Sequence, residues 1–182
     1  MAYQDDIKKA AALLLPWNKL SGCNILVTGA TGLIGGCLVD VLMAHKGRNY
    51  NVYASGRNEE RAGRRFLKYA DDNAFHFVKY DVAQPLEYDV NFQYIIHAAS
   101  GAYPEEFIKH PVEVIKGNIN GLDNLMGYGI QHGIKRLLYI SSGEVYGEGD
   151  GRVFTENYSG YVDCTSLRSC YPSSKRAAET LC

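Results

Sequence analysis

The sequence contains no apolar run long enough to cross a bilayer. Its longest apolar stretch near the start, Ala10 to Leu15, stops at Pro16, far short of the roughly 20 residues a span needs. That stretch has neither a basic leading region nor a small-residue cleavage site, so a membrane anchor and a secretory leader are not expected. Paired cysteines are also missing. The five present (Cys23, Cys37, Cys164, Cys170, Cys182) are odd in number and form no C-x-x-C, which fits neither a disulfide framework nor a zinc site. Reduced thiols and a cytoplasmic location follow. The five histidines are dispersed, with no H-E-x-x-H to set two ligands on one helix face, so no metal is expected. Charge of one sign is lacking as well: Lys+Arg 19 against Asp+Glu 20 gives a net charge of −1. Without a basic field, binding to nucleic acid or to a membrane surface loses its driving force.

What is present is the composition of a globular protein, 182 residues with 46% hydrophobic and 21% charged, enough for one domain. Residues 1–20 read as a lead-in segment, with a helix over Tyr3–Leu15 closed by Pro16. Residues 21–182 read as the domain proper. Short β-branched runs alternate there with longer helical stretches, the pattern of a doubly wound α/β fold with a parallel sheet. The strands are expected at Asn24–Thr28, Asn51–Ala54, Phe75–Tyr80, Phe92–His97 and Arg136–Ile140. Helices are expected from Leu33 through Leu42, over Glu59–Tyr69 and Pro111–Gln131, and from about Ser173 to the last residue. Arg61, Arg64, Arg65 and Lys68 read as a solvated helix face with Glu59 and Glu60. The glycine-rich, acidic segment Gly147–Gly160 reads as a loop.

Gly29-Ala30-Thr31-Gly32-Leu33-Ile34-Gly35 stands between the first strand and the first domain helix. Glycines at such a turn let backbone N–H groups and a helix N-terminus approach a dinucleotide pyrophosphate. This G-x-x-G-x-x-G spacing, with later motifs in order, resembles the extended short-chain dehydrogenase/reductases, and more narrowly the NAD-dependent epimerase/dehydratase family acting on nucleotide sugars. Those motifs are Asp81-Val82 after the third strand, His97-Ala98-Ala99 after the fourth, Asn118 in Asn118-Ile119-Asn120-Gly121, Ser142 in Ser141-Ser142-Gly143-Glu144-Val145-Tyr146-Gly147, and Tyr171-Pro172-Ser173-Ser174-Lys175. The resemblance implies a Rossmann-type fold. It assigns cofactor contacts to Gly29, Thr31, Gly32, Leu33, Ile34, Gly35, Asp81, Val82, His97, Ala98, Ala99 and Asn118, the last with a structural role as its alternative.

In the family this resembles, Ser142, Tyr171 and Lys175 are the catalytic set. Tyr171 and Lys175 are four apart, so a helix puts them on one face, and an ammonium beside a phenol favours the phenolate. Tyr171 can then take a proton from a sugar hydroxyl while hydride passes to the nicotinamide, with Ser142 holding the same oxygen. Lys175 also holds the nicotinamide ribose in this family. Glu144 is the residue expected to choose among reactions. The resembling 4,6-dehydratases carry an Asp-Glu pair where this sequence has Gly143-Glu144, so dehydration is disfavoured. A single Glu resembles the UDP-glucuronate decarboxylases, and 4-epimerases need no carboxylate here. A solvated or loop-capping Glu144 is the alternative.

The second strand ends Ala54-Ser55-Gly56-Arg57, where a carboxylate would bind the ribose of NAD and an arginine the phosphate of NADP. Arg57 argues for NADP and the family habit for NAD, so the expected cofactor is NAD(P). The last helix shows no stop signal, and the sequence is expected to be the N-terminal part of a longer enzyme, with the C-terminal substrate region absent. A nucleotide-diphosphate sugar would be the substrate of the full-length enzyme. The helices over 111–131 and from 171 onward match those the family pairs in a four-helix homodimer interface. Two other classes remain: a dinucleotide-binding regulatory module without catalysis, which would bind cofactor with no response to sugar nucleotides, and a scaffold, which would bind no dinucleotide.

Overall fold

A computed structural model describes residues 2–101 and 103–182. Five parallel strands, β1 (Asn24–Thr28), β2 (Asn51–Gly56), β3 (Phe75–Lys79), β4 (Tyr94–His97) and β5 (Arg136–Tyr139), form one sheet in the order β3-β2-β1-β4-β5. The helices are α1 (Ala2–Ala11), α2 (Leu33–Ala44), α3 (Glu59–Phe66), α4 (Pro104–Lys109), α5 (Pro111–Gln131) and α6 (Cys170–Leu181). The sheet grows from β1 toward β3, then restarts with β4 on the other side of β1. Ligands of open α/β sheets bind at the carboxyl ends of the strands, at such a reversal.

Side chains alternate across the sheet. Ile25 and Val27 pack with Val39, Leu42, Met43, Ala62 and Phe66 under α2 and α3, while Leu26 and Ile95 pack with Leu125 and Tyr128 under α5. On this second face the register sets Leu26 beside Ile95 and Ile95 beside Leu137. Two residues further on it sets Thr28 beside His97 and His97 beside Tyr139. One face therefore turns from apolar to polar at the carboxyl end of the sheet.

Several boundaries differ from the sequence expectation. α1 ends at Ala11 rather than Leu15 because Leu13, Leu14 and Leu15 find no face to bury, Leu14 being fully exposed, and a helical end without packing is not sustained. α6 starts at Cys170 rather than near Ser173. Pro172 sits in its first turn, where the missing N–H would have had no partner anyway. α4, opened by Pro104, was not anticipated.

The solvated cationic face on α3 needs the largest correction. Arg61 and Arg64 do stand exposed, Arg64 pairing with Glu60 in solvent. Arg65 and Lys68 turn inward to Asp40, a fully buried carboxylate of α2 that also accepts from Tyr3 at 2.7 Å and Tyr69 at 2.9 Å. Gly36 makes room: a Cβ there would lie 3.1 Å from the Arg65 guanidinium. Burial pushes the Asp40 carboxyl up, but hydrogen bonds from Arg65, Tyr3, Lys68 and Tyr69 outweigh it and hold it at about 2. Through Tyr3 this cluster also fastens α1 to α2.

Candidate active site

β1 runs into the glycine turn at Gly29, whose φ of 63° lies in the left-handed region. A Cβ at Gly29 would stand 2.7 Å from the backbone of Ala98 and Ala99, and one at Gly35 would stand 2.8 Å from the Gly29 carbonyl carbon. These two glycines let the turn, the start of α2 and the strand-end loop 98–99 close on each other. Gly32 is extended and exposed at the N-cap of α2, and no side chain caps the helix. Leu33 and Ile34 expose their side chains in the first turn. The uncapped N–H groups carry the positive end of the helix dipole to the carboxyl edge of the sheet. That is a cradle for a pyrophosphate, so the residues present fit a dinucleotide.

Other residues singled out in the sequence follow the carboxyl ends of the neighbouring parallel strands. Thr31 lies over the end of β2, 3.5 Å from a Cβ built on Gly56, and Arg57 follows exposed. Asp81 is exposed after β3, its Oδ1 accepting from the Ala83 N–H at 3.1 Å. Val82 is half-buried against Gly121, with its carbonyl accepting from Asn124 at 2.9 Å.

Thr28 and His97 end their strands side by side. Thr28 Oγ1 accepts from the Ala99 N–H at 3.3 Å and lies 2.8 Å from His97 Nδ1. Donation from the hydroxyl to Nδ1 uses both the proton and a lone pair of Thr28 Oγ1, and it leaves the ring proton on Nε2. That nitrogen is buried and has no partner among the described residues. Burial, then the charge of Lys175, pushes the imidazole down to about 4, so His97 is neutral at physiological pH.

α6 lays Tyr171 and Lys175 on its buried face, 7% and 2% exposed. Lys175 Nζ donates to the Ile140 carbonyl at 2.8 Å and stands 5.7 Å from the Tyr171 ring centroid. Burial depresses the ammonium to about 8, against a smaller opposing pull from Glu179. Two residues beyond Ile140, Ser142 Oγ accepts from the Glu144 N–H at 3.2 Å, which leaves its own proton free to donate. Asn118 is fully buried. Its Oδ1 accepts from Ser100 at 2.8 Å and its Nδ2 donates to Ser174 at 2.9 Å, and Ser174 donates in turn to the Tyr171 carbonyl. The amide ties α5 to α6 and to the loop after β4, which is a structural use.

Glu144, in a short 3-10 turn (Gly143–Tyr146), is partly exposed and ion-paired: both carboxylate oxygens accept from Arg168, at 2.7 and 2.9 Å. The Arg168 guanidinium lies 5.6 Å over Phe107 of α4, and Phe107 stacks on Tyr171 at 4.5 Å. Glu144, Arg168, Phe107 and Tyr171 thus form one ladder. Arg168 and Phe107 carry no motif, and Glu144 meets Arg168 across 24 residues, so spacing held no signal for them. Tyr139 carries no motif either, although its parity with Leu137 on β5 places it on the core face. Tyr146 packs on Phe154 at 5.3 Å.

All five cysteines are free, and among the described residues no group of His, Cys, Asp or Glu could hold a metal. No described helix is long and apolar enough to cross a membrane.

The chain is similar to known proteins. The chain is 37% identical over 164 residues to UDP-glucuronic acid decarboxylase 6 of Arabidopsis thaliana, covering 88% of this chain and 46% of that protein. It is 34% identical over 160 residues to UDP-glucuronic acid decarboxylase 1 of Danio rerio, covering 87% and 36%. The chain therefore spans less than half the length of these relatives. Its fold matches a UDP-N-acetylglucosamine 4-epimerase from Methanobrevibacter ruminantium with a TM-score of 0.71 and 22% identity, over 88% of this chain and 49% of that one. A dTDP-glucose 4,6-dehydratase from Bacillus anthracis, in complex with NAD, matches at 0.69 and 22% over the same shares. The profile of the NAD dependent epimerase/dehydratase family matches residues 25–182. On a match that runs through nearly all of its fold, the chain belongs to the NAD dependent epimerase/dehydratase family.

Proposed function

We propose that this chain is the dinucleotide-binding part of a nucleotide-sugar-modifying enzyme that oxidises a sugar hydroxyl at Ser142, Tyr171 and Lys175. The observation that carries the reading is the buried Lys175, whose Nζ is anchored on the Ile140 carbonyl one helical turn from Tyr171. A catalytic tyrosine that must act as base near neutral pH needs a cation at this distance. Tyr171 takes the hydroxyl proton, and Ser142 donates its free proton to the same oxygen. Bound NAD(P) supplies the hydride acceptor. The backbone around Gly29, Gly32 and Gly35, the start of α2 and Ala98-Ala99 would hold it, with Asp81 and Val82 at the adenine side. Arg57 suits the extra phosphate of NADP and the family's name suits NAD, so parallel titrations with both decide between them.

Within this class, decarboxylation of a hexuronate is favoured over dehydration. The relatives cited above are UDP-glucuronic acid decarboxylases, and Gly143 leaves Glu144, engaged by Arg168, with no second carboxyl beside it to eliminate water. A 4-epimerase uses the same first step and is the second reading. Pairing of α5 and α6 with a second copy, and a cytoplasmic location suited to five free thiols, complete the proposal.

The test is Tyr171→Phe in the complete protein, assayed with UDP-glucuronate and UDP-glucose. Turnover should vanish while dinucleotide affinity is retained. Unchanged turnover refutes the assignment, and cofactor binding with no response to any sugar nucleotide favours a regulatory module.

A further inference from the structure

Lys175 has an unusual environment for an ammonium. It is 2% exposed, and no carboxylate lies within ion-pairing distance of it among the described residues. One of its three N–H donors is used, on the Ile140 carbonyl. The nearest group beyond that is the face of Tyr139, with Nζ 4.5 Å from the ring centroid against 5.7 Å for Tyr171. Tyr139 is the last residue of β5 and stands beside His97 in the register, its ring 5.6 Å from the imidazole. The sheet therefore fixes where this ring lies. Its hydroxyl is buried and bonds to nothing among the described residues, so whatever the residue contributes here comes from the ring.

We propose that Tyr139 is a positioning residue for Lys175, and that the face of its ring, not its hydroxyl, seats the ammonium beside Tyr171. The quadrupole of an aromatic face attracts a cation most strongly where water is excluded. The groups facing Lys175 are few. On α6 they are Tyr171 and, at longer range, Glu179. On β5 they are Tyr139 and the Ile140 carbonyl, and on β4 the neutral His97. Cys182, near Tyr139, lies at the end of α6. Besides the Ile140 carbonyl, which takes one N–H, the Tyr139 face is the nearest group that offsets the loss of water from the charge, with Glu179 acting at longer range. Without the ring, the ammonium keeps one hydrogen bond and loses its seat.

The geometry stands independently of the proposed reaction; only its catalytic consequence rests on Lys175 acting with Tyr171. The chain itself is therefore the test object. Lysines are labelled with carbon-13 at Cε, the Lys175 signal is identified by its loss in Lys175→Met, and its titration midpoint is read by NMR. In Tyr139→Leu the midpoint should fall by about one pH unit, the size expected for a desolvated cation–π contact. In Tyr139→Phe it should stay where it is in the parent chain. Pentafluorophenylalanine placed at 139 keeps the ring's shape but reverses its quadrupole, and should lower the midpoint at least as far as leucine does; this variant decides the matter if Tyr139→Leu fails to fold. An unchanged midpoint in the leucine or fluorinated variant overturns the proposal, as does a fall in Tyr139→Phe equal to that in Tyr139→Leu. In the complete enzyme the alkaline limb of kcat should move down with the midpoint. If Tyr171→Phe retained turnover while these midpoints moved as expected, the reaction would be misassigned and the role of Tyr139 would stand.

Discussion

Replacing Lys175 by methionine should leave the folded chain at least as stable near neutral pH, although it removes a residue at the centre of the site. The ammonium titrates at about 8 in the folded chain against an ordinary value of 10.5. Between those values the unfolded chain binds more protons than the folded one, so the parent gains stability as pH rises through that window. Below it the parent carries the full penalty, about 3 kcal/mol. Methionine removes that penalty but strands the Ile140 carbonyl, which costs about 1–3 kcal/mol. The expected net gain at about pH 7 is therefore on the order of 0–2 kcal/mol. The pH dependence is the sharper signature, because by about pH 10 the difference between variant and parent should have moved by about 2.5 kcal/mol in the parent's favour. Urea unfolding followed by the fluorescence of Trp17, the single tryptophan, which stacks on His45 at 4.2 Å, measures this at several pH values. Far-UV circular dichroism on the same samples checks that one transition is being followed. A difference that stayed constant from neutral to alkaline pH would refute the claim that Lys175 is held charged against its burial.

Two further variants test the scaffold around the site. Asp40 sits at about 2 when folded against 3.8 ordinarily, so it contributes about 2 kcal/mol that is present above pH 4 and lost as pH falls toward 2. Asp40→Asn should be weaker than the parent by at least that much near neutrality and nearly equal to it in acid, as read by urea midpoints; an equal gap at both pH values would sink the idea. Gly35→Ala drives a methyl into the backbone of Gly29 and Ala30 and should cost about 1–3 kcal/mol. It should weaken dinucleotide binding by calorimetry as well, whereas Gly63→Ala, where a Cβ meets nothing within 4 Å, should do neither.

The strands and α5 were legible because each carries its signal within a few residues. A β-branched run ends in a glycine turn, and an apolar face repeats from Pro111 to Gln131, the bounds the structure gives. Ser142, Tyr171 and Lys175 stand out as motifs, and the bond from Lys175 Nζ to the Ile140 carbonyl ties α6 to the segment just before Ser142. Asn118 could be named but not understood, since its partners Ser100 and Ser174 come from two other segments. The cations on α3 read as a solvated face because the carboxylate they serve lies on α2.

What the sequence by itself determined is local: the order of the five strands, the glycine turn, the lack of a metal motif or long apolar run, and the residue types available for proton transfer. The tertiary structure alone decided which of those residues share an environment. Hydrophobic periodicity says that a residue faces inward, but not what it meets there. Parallel pairing at long sequence separation aligns Thr28, His97 and Tyr139 in one row, and the packing of α6 lowers Lys175 onto it. Desolvation, the tautomer of His97 and the pairing of Glu144 with Arg168 all depend on distances between residues far apart in the chain, and burial and charge act through space.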